Sequence, residues 1–560
     1  PVSPPPMLAL CLAAVSAEYS PPKRPPAGID PSRSPHTPPF VDGNLELRAG
    51  AVSPWRGASA AVFSPVADST SGERLRIGEL AQMDEPAALA ALEAAERAWA
   101  GGQGAWPQSS LAERIEAIGR VVAGLKARRA RIVEVLMWEI AKSAKDAAAE
   151  FDRTMDFISS TIETLREMDA ASASWRVVSG VFAYVRRAAI GIMLALGPFN
   201  YPFNETYATL IPALLMGNVV IMKIPTIGGL AHVLTMEVYA KELPPGVINF
   251  ISGSGRTTMP PIMRTGKVDI LAFIGGSKAA DALVKDHPAP HRLHSFMQLE
   301  GKNLGVVMAD APMDVAVAQS VVGSTSYNGQ RCTAIKLILV HQSVAHEFVP
   351  KFVAAVAALK VGLPWEEGVQ ITPLPEPNKP AYLAELIEDA LAKGAKLVNA
   401  REGGGTLAGA LMTPAVLFPV TREMRAFHEE QFGPLIPIAT YSTVEEVVDV
   451  VRASRFGQQA AIFTESAASA APLVDALSTV VGRININTQC GRSPDVLPFS
   501  GRRSSALGTM SVSEALRTFS IETLVATKAA VPANEQVAQG LVEESRFMAP
   551  LPVSVHKQEL

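Results

Sequence analysis

The sequence predicts an α/β protein made of two doubly wound parallel-sheet units in series, a small exposed β hairpin and a disordered, proline-rich N-terminal tail. Three observations carry this. From about residue 190 the runs GIMLALG, NVVIMKI, VINFIS and VDILAFIG are apolar on both faces, as strands covered by helices on both sides are. The stretches GLAHVLTMEVYAKE and RTTMPPIMRTG separate the last three, and a β-α-β-α-β order closes into a parallel sheet. A second series, NLGVVMA, IKLILVH, LIPIATY, AAIFTE and GRININT, repeats the arrangement to about residue 500.

The elements follow in chain order. Residues 1–40 hold 12 of the 43 prolines, and a segment such as PPKRPPAGIDPSRSPHTPPF lacks the N–H groups that helix or sheet pairing needs, so 1–43 reads as a disordered tail. Inside it MLALCLAAVSA (7–17) resembles a short signal-peptide core without a basic region before it. Cytoplasmic residence is the expectation, with plastid or secretory targeting through this segment as the alternative. Residues 82–170 read as helices, and Ser110 with Glu113 forms a capping-box pattern. SWRVVSGVFAYVRRA (174–188) alternates like an antiparallel hairpin, a shape that commonly pairs with another subunit. Asn204-Glu205-Thr206 matches a glycosylation sequon, but its place at a helix start favours a capping role for Asn204. From about Lys528 no periodicity is sustained, and the closing HKQEL is a faint echo of an ER-retention signal.

Composition excludes several classes. The net charge of −4 argues against a nucleic-acid binder, and no apolar run of about 18 residues is free of charge, so no membrane span is expected. Three cysteines, Cys11, Cys332 and Cys490, rule out a disulfide scaffold and an all-cysteine zinc site, and suit a reducing compartment. No metal site is expected. The glycine fingerprint of dinucleotide folds, the P-loop, the HExxH helix and the GxSxG elbow are all missing. Cys332 lies just before an apolar strand with Arg331 beside it. A lone cysteine is more often a small buried hydrophobe, and Arg331 favours a thiolate if the two side chains converge.

Five stretches in order, GPFNYPFNETYATLIPALLMGN (197–218), MKIPT (222–226), LEGKN (299–303), NGQRCTAIK (328–336) and EEQFGP (429–434), resemble the aldehyde dehydrogenase superfamily, over about residues 45–527. With INTQCGRSPDVLPFSGR (486–502) they are most similar to its NADP-dependent, non-phosphorylating glyceraldehyde-3-phosphate dehydrogenases. The resemblance implies a cofactor-binding unit over 44–172 and 189–298, a catalytic unit over 299–500, oligomerisation segments at 173–188 and 501–527, a C-terminal tail over 528–560, and a homodimer or homotetramer. It makes Cys332 the nucleophile that forms a thiohemiacetal and then a thioester. Asn200 and the Cys332 backbone N–H become the oxyanion donors.

For the cofactor, the resemblance implies Lys223 at the adenosine ribose and Glu430 and Phe432 at the nicotinamide end. Phe199, Gly253, Phe273, Gly275, Gly276 and Leu299 complete the set. NAD-preferring relatives tend to carry Glu where Thr226 stands, so this chain is expected to accept the 2′-phosphate of NADP. In AFIGGSK (272–278) the usual hydroxyl positions are Ile274 and Gly276, leaving phosphate to backbone N–H groups at a helix start. For the substrate, a phosphorylated aldehyde, it implies Tyr201, Asn204, Arg331, Thr333 and Arg492. The departure is MQLEGKN: where the family carries its deacylating glutamate stands Gln298, and Glu300 follows two residues later. If the segment is extended the two share a face, so Glu300 is expected to serve as a displaced base. The alternative is transfer of the acyl group to coenzyme A; a non-catalytic member of the fold ranks lower, because Cys332 and Asn200 are both present.

Overall fold

The β-branched runs of the first unit form the centre of a parallel sheet in the computed structural model, which describes residues 28–30 and 36–551. Its strands are β1 (Ile192–Leu196), β2 (Val219–Lys223), β3 (Ile248–Ile251), β4 (Ile270–Ile274) and β5 (His294–Gln298). They lie in the order β5-β4-β1-β2-β3, all parallel. Leu45–Arg48 and Ala51–Pro54 extend the β3 edge, and Ala506–Leu507 the β5 edge. The chain winds one way from β1 to β3 and then returns to the other side at β4. The carboxyl ends of β1 and β4 therefore flank a switch point, where open α/β sheets leave a ligand crevice.

The second unit repeats the logic with β6 (Asn303–Val307), β7 (Ile335–His341), β8 (Ala415–Phe418), β9 (Leu435–Tyr441), β10 (Gln459–Phe463) and β11 (Arg483–Ile486). The order is β8-β9-β7-β6-β10-β11, parallel, with Lys396–Leu397 antiparallel at the β8 edge. Only residues 299–302 connect β5 to β6. Four helices matter for the site: α1 (Ala144–Ser172), α2 (Asn204–Leu215), α3 (Ser277–Asp286) and α4 (Met313–Thr325). The expected capping box at Ser110 and Glu113 is present, with both reciprocal hydrogen bonds.

The expected hairpin forms from Arg176–Val178 and Val181–Ala188, and Ile521–Lys528 adds a third antiparallel strand along its full length. Val177, Val178 and Leu524 are exposed on it.

Three expectations need correction. The tail is not wholly unstructured, since Gly28–Ile29 and Val41–Gly43 join Ser59–Asp68 and Arg74–Ala81 in a four-stranded sheet. Neither pairing segment contains proline, and Ile29 and Val41 are buried there, which repays their ordering. Past Lys528 a helix runs over Pro532–Glu544, and Met548 beyond it is buried, its carbonyl accepting the Tyr184 hydroxyl at 2.9 Å. Asn204 does not cap α2. Glu150 on α1 does so instead, its carboxylate accepting from the N–H groups of Phe203 (2.9 Å) and Asn204 (3.2 Å), while the Asn204 amide turns to Thr154. The signal-like segment 7–17 and the HKQEL end lie outside the described residues.

Asn218, fully buried after α2, knits the first unit together. Its Oδ1 accepts from the N–H groups of Ile190 (2.8 Å) and Gly191 (3.0 Å), and its Nδ2 donates to the carbonyls of Ala213 (2.9 Å) and Phe519 (2.8 Å). Asn218→Ala strands two donors and the Phe519 carbonyl in a buried site, the Ala213 carbonyl keeping the residue 218 N–H, so it should cost about 2–4 kcal/mol. A lowered urea midpoint for unfolding is the expected readout.

Candidate active site

Cys332 sits at the end of a backbone segment that only a tightly tethered chain can hold. Tyr327, Asn328 and Gly329 all have positive φ, of 48°, 56° and 70°. For the first two that conformation is costly. Their side chains supply the compensation: the Tyr327 hydroxyl donates to the Ile140 carbonyl at 2.9 Å, and the Asn328 amide exchanges hydrogen bonds with the backbone of Thr372. At Gly329 a Cβ would stand 2.7 Å from the Ser324 carbonyl oxygen and 2.8 Å from that of Gly433, so no larger residue fits. Beyond it, the Cys332 carbonyl accepts from Asn303 Nδ2 (2.7 Å) and Lys336 Nζ (2.8 Å).

Lys336 is almost fully buried and pairs with Glu430 at 2.9 Å, while the Glu430 carboxylate also accepts the Gly301 N–H at 3.0 Å. Lys302, one residue on, donates to the Ala426 and Glu429 carbonyls and to Gln431 Oε1. The EEQFGP stretch is thus fastened to both the Cys332 loop and the 299–302 crossing. Phe432 meets Phe199 edge to face, with ring centroids 5.8 Å apart.

Asn200 follows β1, and its Nδ2 donates to the Gln330 carbonyl at 2.8 Å, which sets its amide beside the Cys332 loop. Tyr201 is held by a cation-π contact, with the Lys142 ammonium 3.3 Å from its ring centroid; Lys142 in turn pairs with the buried Glu150. One cavity of about 760 Å³ gathers most of the expected site: Asn200, Tyr201, Gln298, Glu300, Arg331, Cys332, Thr333 and Arg492. From the expected cofactor set, Phe199, Gly275, Gly276, Leu299, Glu430 and Phe432 line it as well.

The remainder of the expected residues do not line it. Lys223 ends β2, buried, with its ammonium on the Ile224 carbonyl; burial pulls it down to about 8. Thr226 is exposed in the following loop. Both stand at the carboxyl edge of the sheet, beside β1. Three assignments change. Gly253 is required by packing, since its φ is +92° and a Cβ would reach 2.8 Å from the Met83 nitrogen. Phe273 is a core residue packed beneath Gly275. Asn204 is 1% exposed and held by Thr154, so it faces α1 rather than the cavity.

The two residues that replace the family's usual glutamate pattern behave differently. Gln298 is buried, and neither polar atom of its side chain has a hydrogen-bond partner among the described residues. Glu300 takes the N-terminus of α3: its Oε1 accepts from the Ser277 N–H (2.9 Å) and hydroxyl (3.2 Å), while Oε2 has no hydrogen-bond partner among the described residues. A carboxylate on those donors is a stand-in for another oxyanion. The α3 N-terminus at the switch point, the Lys223 ammonium and the aromatic pair therefore suit a dinucleotide with phosphate groups.

Sequence reasoning missed four residues of the site. Arg153 and Glu205 line the cavity, and Asp495 bridges Arg153 and Arg492. Lys336 was quoted within NGQRCTAIK but given no role. Glu205 stood in the most informative stretch of all, five residues after Asn200, so its proximity was readable. Arg153, a cation in the middle of a 29-residue helix, carried no local signal. Burial pushes the Cys332 thiol up to about 11; the Glu205 carboxylate adds to the rise and the Lys336 ammonium opposes it.

The chain as a whole is similar to known proteins. Residues 56–525 match the aldehyde dehydrogenase family. An NADP-dependent glyceraldehyde-3-phosphate dehydrogenase from Streptococcus equinus is 35% identical over 441 residues, covering 77% of this chain and 88% of that one. The enzyme of the same name from Zea mays is 32% identical over 492 residues, covering 85% and 94%. The crystal structure of an NADP-dependent glyceraldehyde-3-phosphate dehydrogenase from Bacillus halodurans C-125 complexed with NADP superposes with a TM-score of 0.79 at 30% identity, covering 87% of this chain and all of that one.

The raised thiol has a measurable consequence. In the cofactor-free protein, alkylation of Cys332 by iodoacetamide should climb about tenfold per pH unit from pH 7 to 10 without a plateau, since only the thiolate reacts. Buried Cys490 should stay unlabelled throughout. Mass spectrometry of the labelled peptides reads both; a plateau near pH 7 for Cys332 would show a thiolate already formed.

Proposed function

The chain belongs to the aldehyde dehydrogenase family, and from that membership we propose that it oxidises D-glyceraldehyde 3-phosphate to 3-phosphoglycerate with NADP and water, without inorganic phosphate. One observation carries the reading: Cys332, Asn200 and four arginines, Arg153, Arg331, Arg483 and Arg492, line a single cavity at the carboxyl edge of the sheet. The relatives that bear this activity in their names, and the neutral Thr226 in place of a carboxylate, support it.

Cys332 loses its proton and its sulfur bonds to the aldehyde carbon. The resulting oxyanion takes hydrogen bonds from the Asn200 side chain and the Cys332 backbone N–H, each donor worth about 3–4 kcal/mol in such sites. NADP would supply the acceptor for the hydride of this carbon. The α3 N-terminus, Lys223 and Thr226 would hold it, and the Phe199–Phe432 pair would flank its reactive end. Collapse leaves a thioester on Cys332. Water then adds to the acyl carbon, a base takes its proton, and the thiolate leaves. Gln298 has no basic atom for that proton. Glu300, which would first have to leave Ser277, is the carboxylate assigned to the task. The amide at 298 also favours a second reading, in which the thiol of coenzyme A takes the acyl group.

The exposed sheet over 176–188 and 521–528 supports a homodimer or homotetramer. A mechanism that depends on a free thiol suits the reducing cytoplasm.

Two experiments test this reading. Rapid mixing of D-glyceraldehyde 3-phosphate with the parent should give sustained NADPH formation that neither phosphate nor coenzyme A accelerates, and Cys332→Ala should give none. Glu300→Gln should give a burst of about one NADPH per site and then a slow phase. An unaltered steady state in that variant removes Glu300 from the mechanism, and acceleration of the parent by coenzyme A selects the second reading. Separately, Thr226→Glu should lower kcat/KM for NADP at least about tenfold more than for NAD, because it sets a carboxylate against the 2′-phosphate.

A further inference from the structure

The substrate end of the cavity brings its own counter-charges. Arg153 grips Asp495 through two hydrogen bonds, Nε to Oδ2 at 3.0 Å and Nη2 to Oδ1 at 2.7 Å. Arg492 shares Asp495 through Nε at 3.1 Å, and its Nη1 stands 2.6 Å from Glu205 Oε1. The four side chains sum to zero charge. Arg331, a further cation of the cavity, donates to the Val322 and Gly323 carbonyls and the Gln489 amide oxygen, none of which cancels its charge. A phosphate arriving at Arg492 itself therefore meets a charge-balanced cluster.

The members of the cluster are not equally fixed. Asp495 is clamped by the Arg153 fork and its backbone carbonyl accepts the Val512 N–H. The Arg492 guanidinium is wedged between the rings of Phe157 and Phe499, 5.8 and 5.7 Å from their centroids. Glu205 stands on the first turn of α2, and Arg492 is its one ion-pair partner among the described residues. The side chain of Arg492 is 5% exposed, and among the described residues neither Nη1 nor Nη2 has a hydrogen-bond acceptor, the Glu205 contact being an ion pair alone, although the residue lines the cavity. A donor left open in that position calls for an oxyanion from outside.

We propose that Glu205 is a specificity-determining residue: its carboxylate is an internal competitor for the Arg492 guanidinium, and a substrate phosphate binds there only by displacing it. Arg492 supplies the attraction and Glu205 subtracts from it, so the advantage of a phosphorylated aldehyde over the neutral hydroxyaldehyde of the same carbon chain is narrowed. The inference rests on the substrate reading above, but its physical core, competition between two oxyanions for one guanidinium, can be tested without turnover.

The probe is inorganic phosphate titrated calorimetrically into the NADP-saturated protein, so that the donors assigned to the cofactor are already engaged. Glu205→Gln and Glu205→Met remove the charge in two different shapes, and Glu205→Asp retains it. Both neutral variants should bind phosphate about tenfold more tightly than the parent, the scale expected for one lost charge beside a partly solvated guanidinium. The Asp variant should stay within about threefold of the parent on the same scale. In steady-state assays the neutral variants should lower KM for D-glyceraldehyde 3-phosphate relative to KM for unphosphorylated glyceraldehyde. Phosphate affinity unchanged in a folded neutral variant overturns the proposal, as does an unchanged ratio of the two KM values. Tighter phosphate binding with no oxidation of the phosphorylated aldehyde by any variant upholds the competition and removes the substrate reading instead.

Discussion

The ammonium group of Lys336 is the tie on which the site depends. It is buried between the Cys332 carbonyl and the Glu430 carboxylate, and so joins the nucleophile's loop to the stretch that carries Phe432. Removing a charge of that kind from water costs several kcal/mol, a penalty met only where partners are fully supplied. The Asn303 amide takes the other side of the same carbonyl, and Lys302 anchors the neighbouring loop through three oxygens. With these contacts in place, Tyr327 and Asn328 can hold left-handed conformations that neither would adopt in a loose loop.

Much of this was legible before any coordinates, and for identifiable reasons. β1, β2, β6 and β7 are runs of Val, Ile and Leu buried on both faces, so composition alone marked them. β5 was harder, because His294, Ser295 and Gln298 interrupt its apolar run, and its strand geometry comes from pairing with β4. β8 is four residues long and draws its strand geometry from β9. The tail and the C-terminal segment were misjudged for one cause: what orders Val41 or Met548 is a partner hundreds of residues away or a neighbouring sheet, and neither leaves a local pattern. Within the site, positions in the contiguous stretches were readable. Arg153 and Asp495, 342 residues apart, became visible as a pair only through the fold.

The cleft is also unusual in how it satisfies its own donors. The N-terminus of α3 is met by Glu300 and the Arg492 guanidinium by Glu205, so two places that attract anions already hold a carboxylate of this chain. Internal pairing of this kind lowers the cost of burying a helix terminus and a guanidinium, although it leaves Nη donors of Arg492 open. It also means that affinity for any external anion is a difference between two similar interactions rather than the strength of one.

The crossing at 299–302 has a mechanical meaning. Two parallel sheets are joined there by four residues, two of which are anchored: Glu300 to α3 on one side and Lys302 to the 426–431 loop on the other. A connector that short has no slack. Any sliding of one sheet past the other must be absorbed by bonds that also define the cleft, so the crossing acts as a stiff coupling rather than a hinge.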